Sequence, residues 1–331
     1  MKSSFIKDIA FYVPEKVLTN DDLSTMMDTS DEWIKTRTGI HKRHTTGDTN
    51  MGPADLAVLA SNKLFDKLGM DKAEIDFVVF ATSTPDYYVP GSGALFQEKM
   101  GLDNIGVLDI RQGCSGFTYA LSVADKFIKT ETYKNILVIG SEVQTTQLDY
   151  DNDGRGTAVL FGDGAAACLL TSTKEDKGIL SAHLHSDGKY IDELSSSHPS
   201  SKYKDIISKK NIENRQHHIH MNGREVFKHA VRRFKEVILE GLDYNNLSIS
   251  DVDMVIPHQA NYRISQTVQK QLDIDEDKVF SNIHNYGNTT AASIGIALSE
   301  ALEQNKINKG DIVVLASFGA GFQWGSVVIK W

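Results

Sequence analysis

The chain repeats itself once, and that repeat limits its fold more than any other feature. "VDMVIPH" (252–258) echoes "IDFVVFA" (75–81), "ASIGIALSEAL" (292–302) echoes "FTYALSVADKF" (117–127), and "DIVVLASFG" (311–319) echoes "NILVIGSEV" (135–143). Ile136 and Ile312 are 176 residues apart (312 − 136), and Leu121 and Leu298 are 177 apart (298 − 121). Three segments in one order at one offset indicate a duplicated domain; a solenoid would repeat at roughly 20–50 residues. Within each copy, short β-branched runs alternate with longer amphipathic ones, which is the pattern of an α/β fold. "DFVVFAT" (76–82), "NIGVLDI" (104–110) and "NILVIGSE" (135–142) read as buried strands, and "GFTYALSVADKFIK" (116–129) reads as a helix. The expected organisation is two halves, 1–175 and 176–331. The polar stretch 187–205 reads as a surface excursion between them. Residues 145–156 read as a turn-rich loop whose Gly154 and Gly156 let it approach something closely.

No run approaches the roughly 18 apolar residues of a membrane span, and "MKSSFIKDIAFYVPEK" lacks the apolar stretch of a signal peptide. Two cysteines cannot form a disulfide framework, so a reducing cytoplasm is the expected location. A net charge of −9 argues against nucleic acid as the main partner.

Cys114 lies in "DIRQGCSGF" (109–117), after a strand and before a helix, with Gly113 and Gly116 allowing a tight turn. At that place the helix N-terminus is expected to favour a thiolate. Cys168, in the apolar run "GAAACLL", reads as core. His258, in "VIPHQANYR" (255–263), also stands at a strand-to-helix turn, where an open α/β sheet gathers its ligands. Asn288 occupies a third such turn, "HNYGNTTAAS" (284–293), where a helix N-cap is the ordinary alternative. A nucleophile, an imidazole and an amide at equivalent strand-to-helix turns favour nucleophilic chemistry over packing. The histidine-rich "HLH" (183–185) and "HHIH" (217–220) fit alternation along strands better than a metal site, since no Cys, Asp or Glu joins them at ligand spacing.

"CSGF", "PHQANYR" and "YGNTTAAS", together with "TSDEWIKTRTGI" (29–40) and "FGAGFQWG" (318–325), resemble β-ketoacyl-acyl-carrier-protein synthase III of the thiolase-like condensing superfamily. The resemblance runs from "YVPEKVLTN" (12–20) to the last strand. It implies the duplicated, five-layer αβαβα thiolase fold and a decarboxylative condensation of an acyl-CoA primer with malonyl-acyl-carrier protein. It also implies Cys114, His258 and Asn288 as the catalytic triad, with the backbone N–H groups of Cys114 and Ala320 as the oxyanion hole. Thr29, Trp33, Arg37, Arg155 and Asn261 would bind CoA, and no further cofactor or metal would be needed. Arg224, Lys228 and Arg232, on one helix face, with Arg263 and Lys270, would meet the acidic carrier protein. The family is a homodimer in which one loop, here "STPDYYVPGSG" (83–93), reaches the partner's primer pocket and brings Val89 there.

Several positions depart from the family's pattern. Arg111 and Gln112 stand where small residues commonly precede the nucleophile. Val89 replaces a common Phe, and Gly295 a common Pro; both suggest room for a longer primer. A chain-starting synthase is therefore the leading expectation, and a related enzyme of a dedicated pathway with an unusual primer is the second. A degradative thiolase would need a second cysteine as base. A non-catalytic binding subunit would lack the nucleophile. Papain-like hydrolysis would carry a "CGSCW"-type signature, which is absent.

Overall fold

The computed structural model describes residues 3–331. Five strands form the first sheet: β1 (Ser3–Tyr12), β2 (Phe77–Ala81), β3 (Gly106–Ile110), β4 (Asn135–Glu142) and β5 (Gly164–Thr173). Their spatial order is β1-β5-β4-β2-β3, with β4, β2 and β3 parallel and β5 antiparallel to both its neighbours. Four strands form the second sheet: β6 (Gly178–Ser186), β7 (Met254–Pro257), β8 (Ile312–Gly319) and β9 (Gln323–Lys330). Their order, β6-β9-β8-β7, repeats β1-β5-β4-β2, with β7 and β8 again the parallel pair.

Six helices cover these sheets, α2 (Pro53–Leu68), α3 (Ser92–Met100), α4 (Gly116–Lys129), α5 (Gly223–Tyr244), α6 (Tyr262–Leu272) and α7 (Ser293–Glu303), and α1 (Asp31–Thr38) packs against α6. The duplication holds element by element. β2 and β7, α4 and α7, and β4 and β8 each begin 177 residues apart (254 − 77, 293 − 116, 312 − 135).

Strand alternation builds the layers. On β4, Ile136 and Val138 face the central core while Leu137 and Ile139 face the outer one. On β8, Val313 and Leu315 face the centre and Val314 and Ala316 the opposite outer core. A strand apolar on both faces must be covered on both. α4 and α7 fill the space between the sheets, α2 and α3 cover the first sheet, and α5 and α6 cover the second. The result is the five-layer thiolase architecture.

Residues 187–205 follow β6 and lie largely at the surface, as their polarity suggests, with only Leu194 and His198 buried; Leu194, Ser195, Ser196, His198 and Pro199 also wall a cavity. One position is resolved differently from its sequence reading. Gly295 lies in the α7–β5 packing seam, where an added Cβ would come 2.4 Å from Ala166 Cβ. Its small size serves helix–strand contact and does not enlarge the cavity.

Candidate active site

Three turns converge on one cavity of about 1190 Å³. Cys114 sits on a short 3-10 turn, Gly113–Ser115, between β3 and α4. Gly113 has φ +48°, a left-handed conformation that glycine adopts without strain. Gly319, at the end of β8, passes so close that a Cβ there would lie 2.6 Å from Cys114 Cβ and 3.2 Å from Sγ. His258 follows β7, and its backbone N–H donates to the Ala316 carbonyl at 2.8 Å. The Asn288 backbone N–H donates to the Leu160 carbonyl, while its own carbonyl accepts from Gly162 N–H. All three side chains line the cavity and are 6%, 1% and 5% exposed respectively.

The expected thiolate is absent from the free site. Burial pushes the Cys114 thiol up to about 12, and the nearby Glu142 carboxylate pushes in the same direction. The backbone N–H groups of Cys114 and Ala320 are directed at the sulfur and oppose that rise, but burial dominates. Those two donors are the pair expected to form the oxyanion hole. Burial likewise holds the His258 imidazole down at about 3, so it is neutral. The resting site is therefore thiol and neutral imidazole.

His258 Nε2 is buried without a hydrogen-bond partner among the described residues, whereas Nδ1 meets Ser293 Oγ at 2.5 Å. Asn288 Oδ1 accepts from Thr290 N–H at 2.9 Å, which fixes the amide's orientation. Asn288 thus forms a local turn in front of α7 and does not cap it.

The remaining expected residues divide. Trp33 and Arg37 line the cavity mouth, and the Arg155 guanidinium lies over the Trp33 ring at 5.2 Å. Asn261 also lines it, but its side chain is already occupied. Nδ2 donates to the Arg37 carbonyl and Oδ1 caps α6 through Arg263 N–H. Thr29 does not line the cavity, and its Oγ1 is buried without a partner among the described residues. Arg224, Lys228, Arg263 and Lys270 are exposed on the neighbouring helices α5 and α6. Lys228 pairs with Glu225 and Arg232 with Glu236, so part of the stripe is internally neutralised. Val89 is 78% exposed and is not part of the wall, whereas Tyr87 and Tyr88 are.

Arg111 is exposed at the cavity edge, not buried beside the thiol, and Gln112 is half-buried. Cys168 lies in the central core on β5. Of the histidines, His183 and His185 on β6 both face Glu240, and no group of three or more metal-ligating side chains occurs among the described residues.

Sequence reasoning missed Glu142 and Ser293. Glu142 is fully buried at the end of β4 and accepts from Ser83 N–H, the hydroxyls of Ser83 and Thr84, Gln144 Nε2 and Ala291 N–H. It ties the loop after β2 to the turn after Asn288. Burial raises it to about 7 despite these donors.

Residues 108–188 match the family model described as 3-oxoacyl-[acyl-carrier-protein (ACP)] synthase III, and residues 242–331 match the model of its C terminal part. A β-ketoacyl-[acyl-carrier-protein] synthase III of Clostridioides difficile is 44% identical, with 98% of each chain covered. One from Ehrlichia canis is 43% identical over the whole of both chains. The chain belongs to the 3-oxoacyl-[acyl-carrier-protein] synthase III family. It is a condensing acyltransferase. Its fold superposes on the crystal structure of the Thermus thermophilus β-ketoacyl-[acyl-carrier-protein] synthase III with a TM-score of 0.91, at 38% identity and 99% coverage of each chain.

Proposed function

We propose that this enzyme starts fatty-acid chains in the cytoplasm, loading an acyl group from acyl-CoA onto Cys114 and condensing it with malonyl-acyl-carrier protein. The products are 3-oxoacyl-acyl-carrier protein, CoA and CO2. The observation that carries this reading is the meeting of Cys114, His258 and Asn288 in one cavity, with two backbone N–H groups aimed at the sulfur. The division of labour follows the two halves: 1–175 supplies the nucleophile, and 176–331 supplies His258 and Asn288. The names of full-length relatives favour the chain-starting role over a dedicated pathway.

In the first half-reaction, Cys114 Sγ bonds to the primer carbonyl carbon and the bond to the CoA sulfur breaks. Because thiol and imidazole both rest neutral, the proton must leave sulfur as attack proceeds, and it passes to the departing CoA sulfur. The N–H groups of Cys114 and Ala320 stabilise the tetrahedral oxyanion. In the second half-reaction the malonyl carboxylate leaves as CO2, and the electron pair moves onto the thioester oxygen. His258 Nε2–H and the Asn288 amide stabilise that enolate in a buried site, where such donors act strongly. Its carbon attacks the acyl carbonyl, the bond to Cys114 breaks, and the sulfur recovers a proton from solvent. Asn suits its position because it donates without titrating. No cofactor beyond the CoA thioesters is called for.

Trp33 and Arg155 would sandwich the adenine, and Thr29 and Arg37 would meet its ring and phosphates. Asn261 would reach the pantetheine arm. Arg224, Lys228, Arg263 and Lys270 would steer the acidic carrier. The active form would be a homodimer, with Val89 entering the partner's primer pocket. Strand β3 is an open sheet edge, and its Leu108 is exposed, which suits pairing with a second copy.

The test is to supply acyl-CoAs from acetyl to decanoyl with malonyl-carrier protein and to follow CoA and CO2 together. Release of both in equal amounts, dependent on both substrates, is the expected result. CoA release without CO2 would indicate hydrolysis and overturn the reading.

A further inference from the structure

Gln144 lies two residues past β4, is 3% exposed and lines the cavity. Both hydrogens of its Nε2 are used inside the protein: one meets Ser83 Oγ at 2.9 Å and the other Glu142 Oε2 at 3.2 Å. An amide turned the other way would set its oxygen against the carboxylate, so the orientation is fixed. Gln144 Oε1 is then left open to the cavity, with no hydrogen-bond partner among the described residues. The position is deep in the site. Glu142, which Gln144 contacts, is near enough to Cys114 to oppose ionisation of the thiol, while Trp33 and Arg37 line the mouth. Thr290, on the turn that Glu142 holds through Ala291 N–H, also lines the cavity, and its buried Oγ1 has no partner among the described residues. Buried polar atoms are nearly always paired, so two unpaired ones around a single carboxylate point to a polar ligand.

The amide oxygen decides the chemistry of that ligand. It only accepts, so its partner must donate. A carboxylate cannot donate and would be repelled by Glu142. An ammonium would need a counter-charge, and the Glu142 oxygens are already taken by Ser83 N–H, the hydroxyls of Ser83 and Thr84, Gln144 Nε2 and Ala291 N–H. A hydroxyl is neutral and donates. We propose that the primer pocket selects acyl-CoAs whose acyl chain carries a hydroxyl group, with Gln144 Oε1 accepting from it. The inference rests on the reading of Cys114 as the residue that takes the primer from CoA. Gln144 sets specificity and takes no part in making or breaking bonds.

The experiment offers the enzyme pairs of acyl-CoAs in which a methyl group stands in place of the hydroxyl. The pairs are 3-hydroxybutanoyl with 3-methylbutanoyl, 6-hydroxyhexanoyl with heptanoyl, and 4-hydroxybenzoyl with 4-methylbenzoyl. Both members of a pair are supplied together at equal concentration, and mass spectrometry of the peptic peptide that carries Cys114 reads the ratio of the two adducts. In at least one pair the hydroxyl member should load about tenfold faster. Gln144→Leu, which fills the same place without an acceptor, should bring that ratio to about one or below. Thermal unfolding checks that the variant is folded, and the wild-type ratio is read without it. Equal or slower loading of the hydroxyl member in all three pairs would overturn the inference, as would a preference unchanged in folded Gln144→Leu; either result leaves the proposed function standing. If no acyl-CoA loads Cys114, the proposed function fails and this inference with it.

Discussion

Glu142 makes the stability of the fold depend on pH in a direction opposite to that of an ordinary paired carboxylate. Its carboxyl is fully buried and titrates at about 7, against an ordinary 4.5, because burial outweighs its hydrogen-bond donors. A group raised in the folded state contributes fully below the unfolded value, and that contribution is lost as pH rises through the folded one. The window therefore runs from about 4.5 to about 7. At about 1.4 kcal/mol per unit, the whole shift amounts to about 3 kcal/mol, of which roughly 2–3 kcal/mol is lost between about pH 5 and pH 8. Other groups also titrate there, so the measurement is a difference. Urea unfolding of wild type and of Glu142→Gln would be compared at four pH values. The amide resembles the neutral acid in shape but accepts at one atom only, so the variant should be less stable than wild type at low pH and should lack the pH dependence that Glu142 contributes. The wild-type advantage should shrink by about 2–3 kcal/mol across that range. A constant difference would refute the account of Glu142, and a growing one would reverse its sign.

Three further outcomes follow from individual distances and charges. Alkylation of Cys114 in the free enzyme by iodoacetamide should rise about tenfold per pH unit without a plateau below about pH 10, because burial holds the thiol at about 12; a plateau near neutrality would contradict this. Gly319→Ala should slow acyl loading at least about tenfold while thermal unfolding shows a folded protein, because the new Cβ would lie 2.6 Å from Cys114 Cβ; unchanged loading would show that the turn can yield. Gly295→Ala should cost about 1–3 kcal/mol in thermal or urea unfolding by overpacking against Ala166 and Phe117, with primer preference unchanged. A shift in primer length there would return Gly295 to the pocket.

The layers were legible because most strands announce both of their faces within a few residues; the exception is "NIGVLDI", expected as a buried strand, which forms the sheet edge β3 and is largely exposed because nothing pairs with its outer side. "NILVIGSE" is buried from its second residue on, alternating between two cores, and its repeat 177 residues later (312 − 135) does the same. Cys114 and His258 were legible as residues at strand-to-helix turns, with Gly113 marking one of them, whereas Asn288 follows the short helix Ile283–Tyr286 and so does not stand at the strand-to-helix turn expected of it. What stayed hidden depends on contacts between distant segments. Ser293 and His258 are 35 residues apart, and Glu142 meets Ser83 across 59; no local pattern signals either contact. The bond from Asn261 to the Arg37 carbonyl is equally hidden, since it forms only when α6 meets α1. The thiol was misjudged for a related reason. A helix start near Cys114 can be read from sequence, but its burial against Gly319 and the nearness of Glu142 cannot.

The central claim is a covalent acyl-enzyme on Cys114. Intact-protein mass spectrometry after incubation with acyl-CoA, on wild type and Cys114→Ala, tests it directly. The account predicts a gain of one acyl group per wild-type chain, removed on addition of malonyl-carrier protein, and no gain in the variant. An acyl group retained by Cys114→Ala, or a loaded wild type that malonyl-carrier protein cannot discharge, would contradict it.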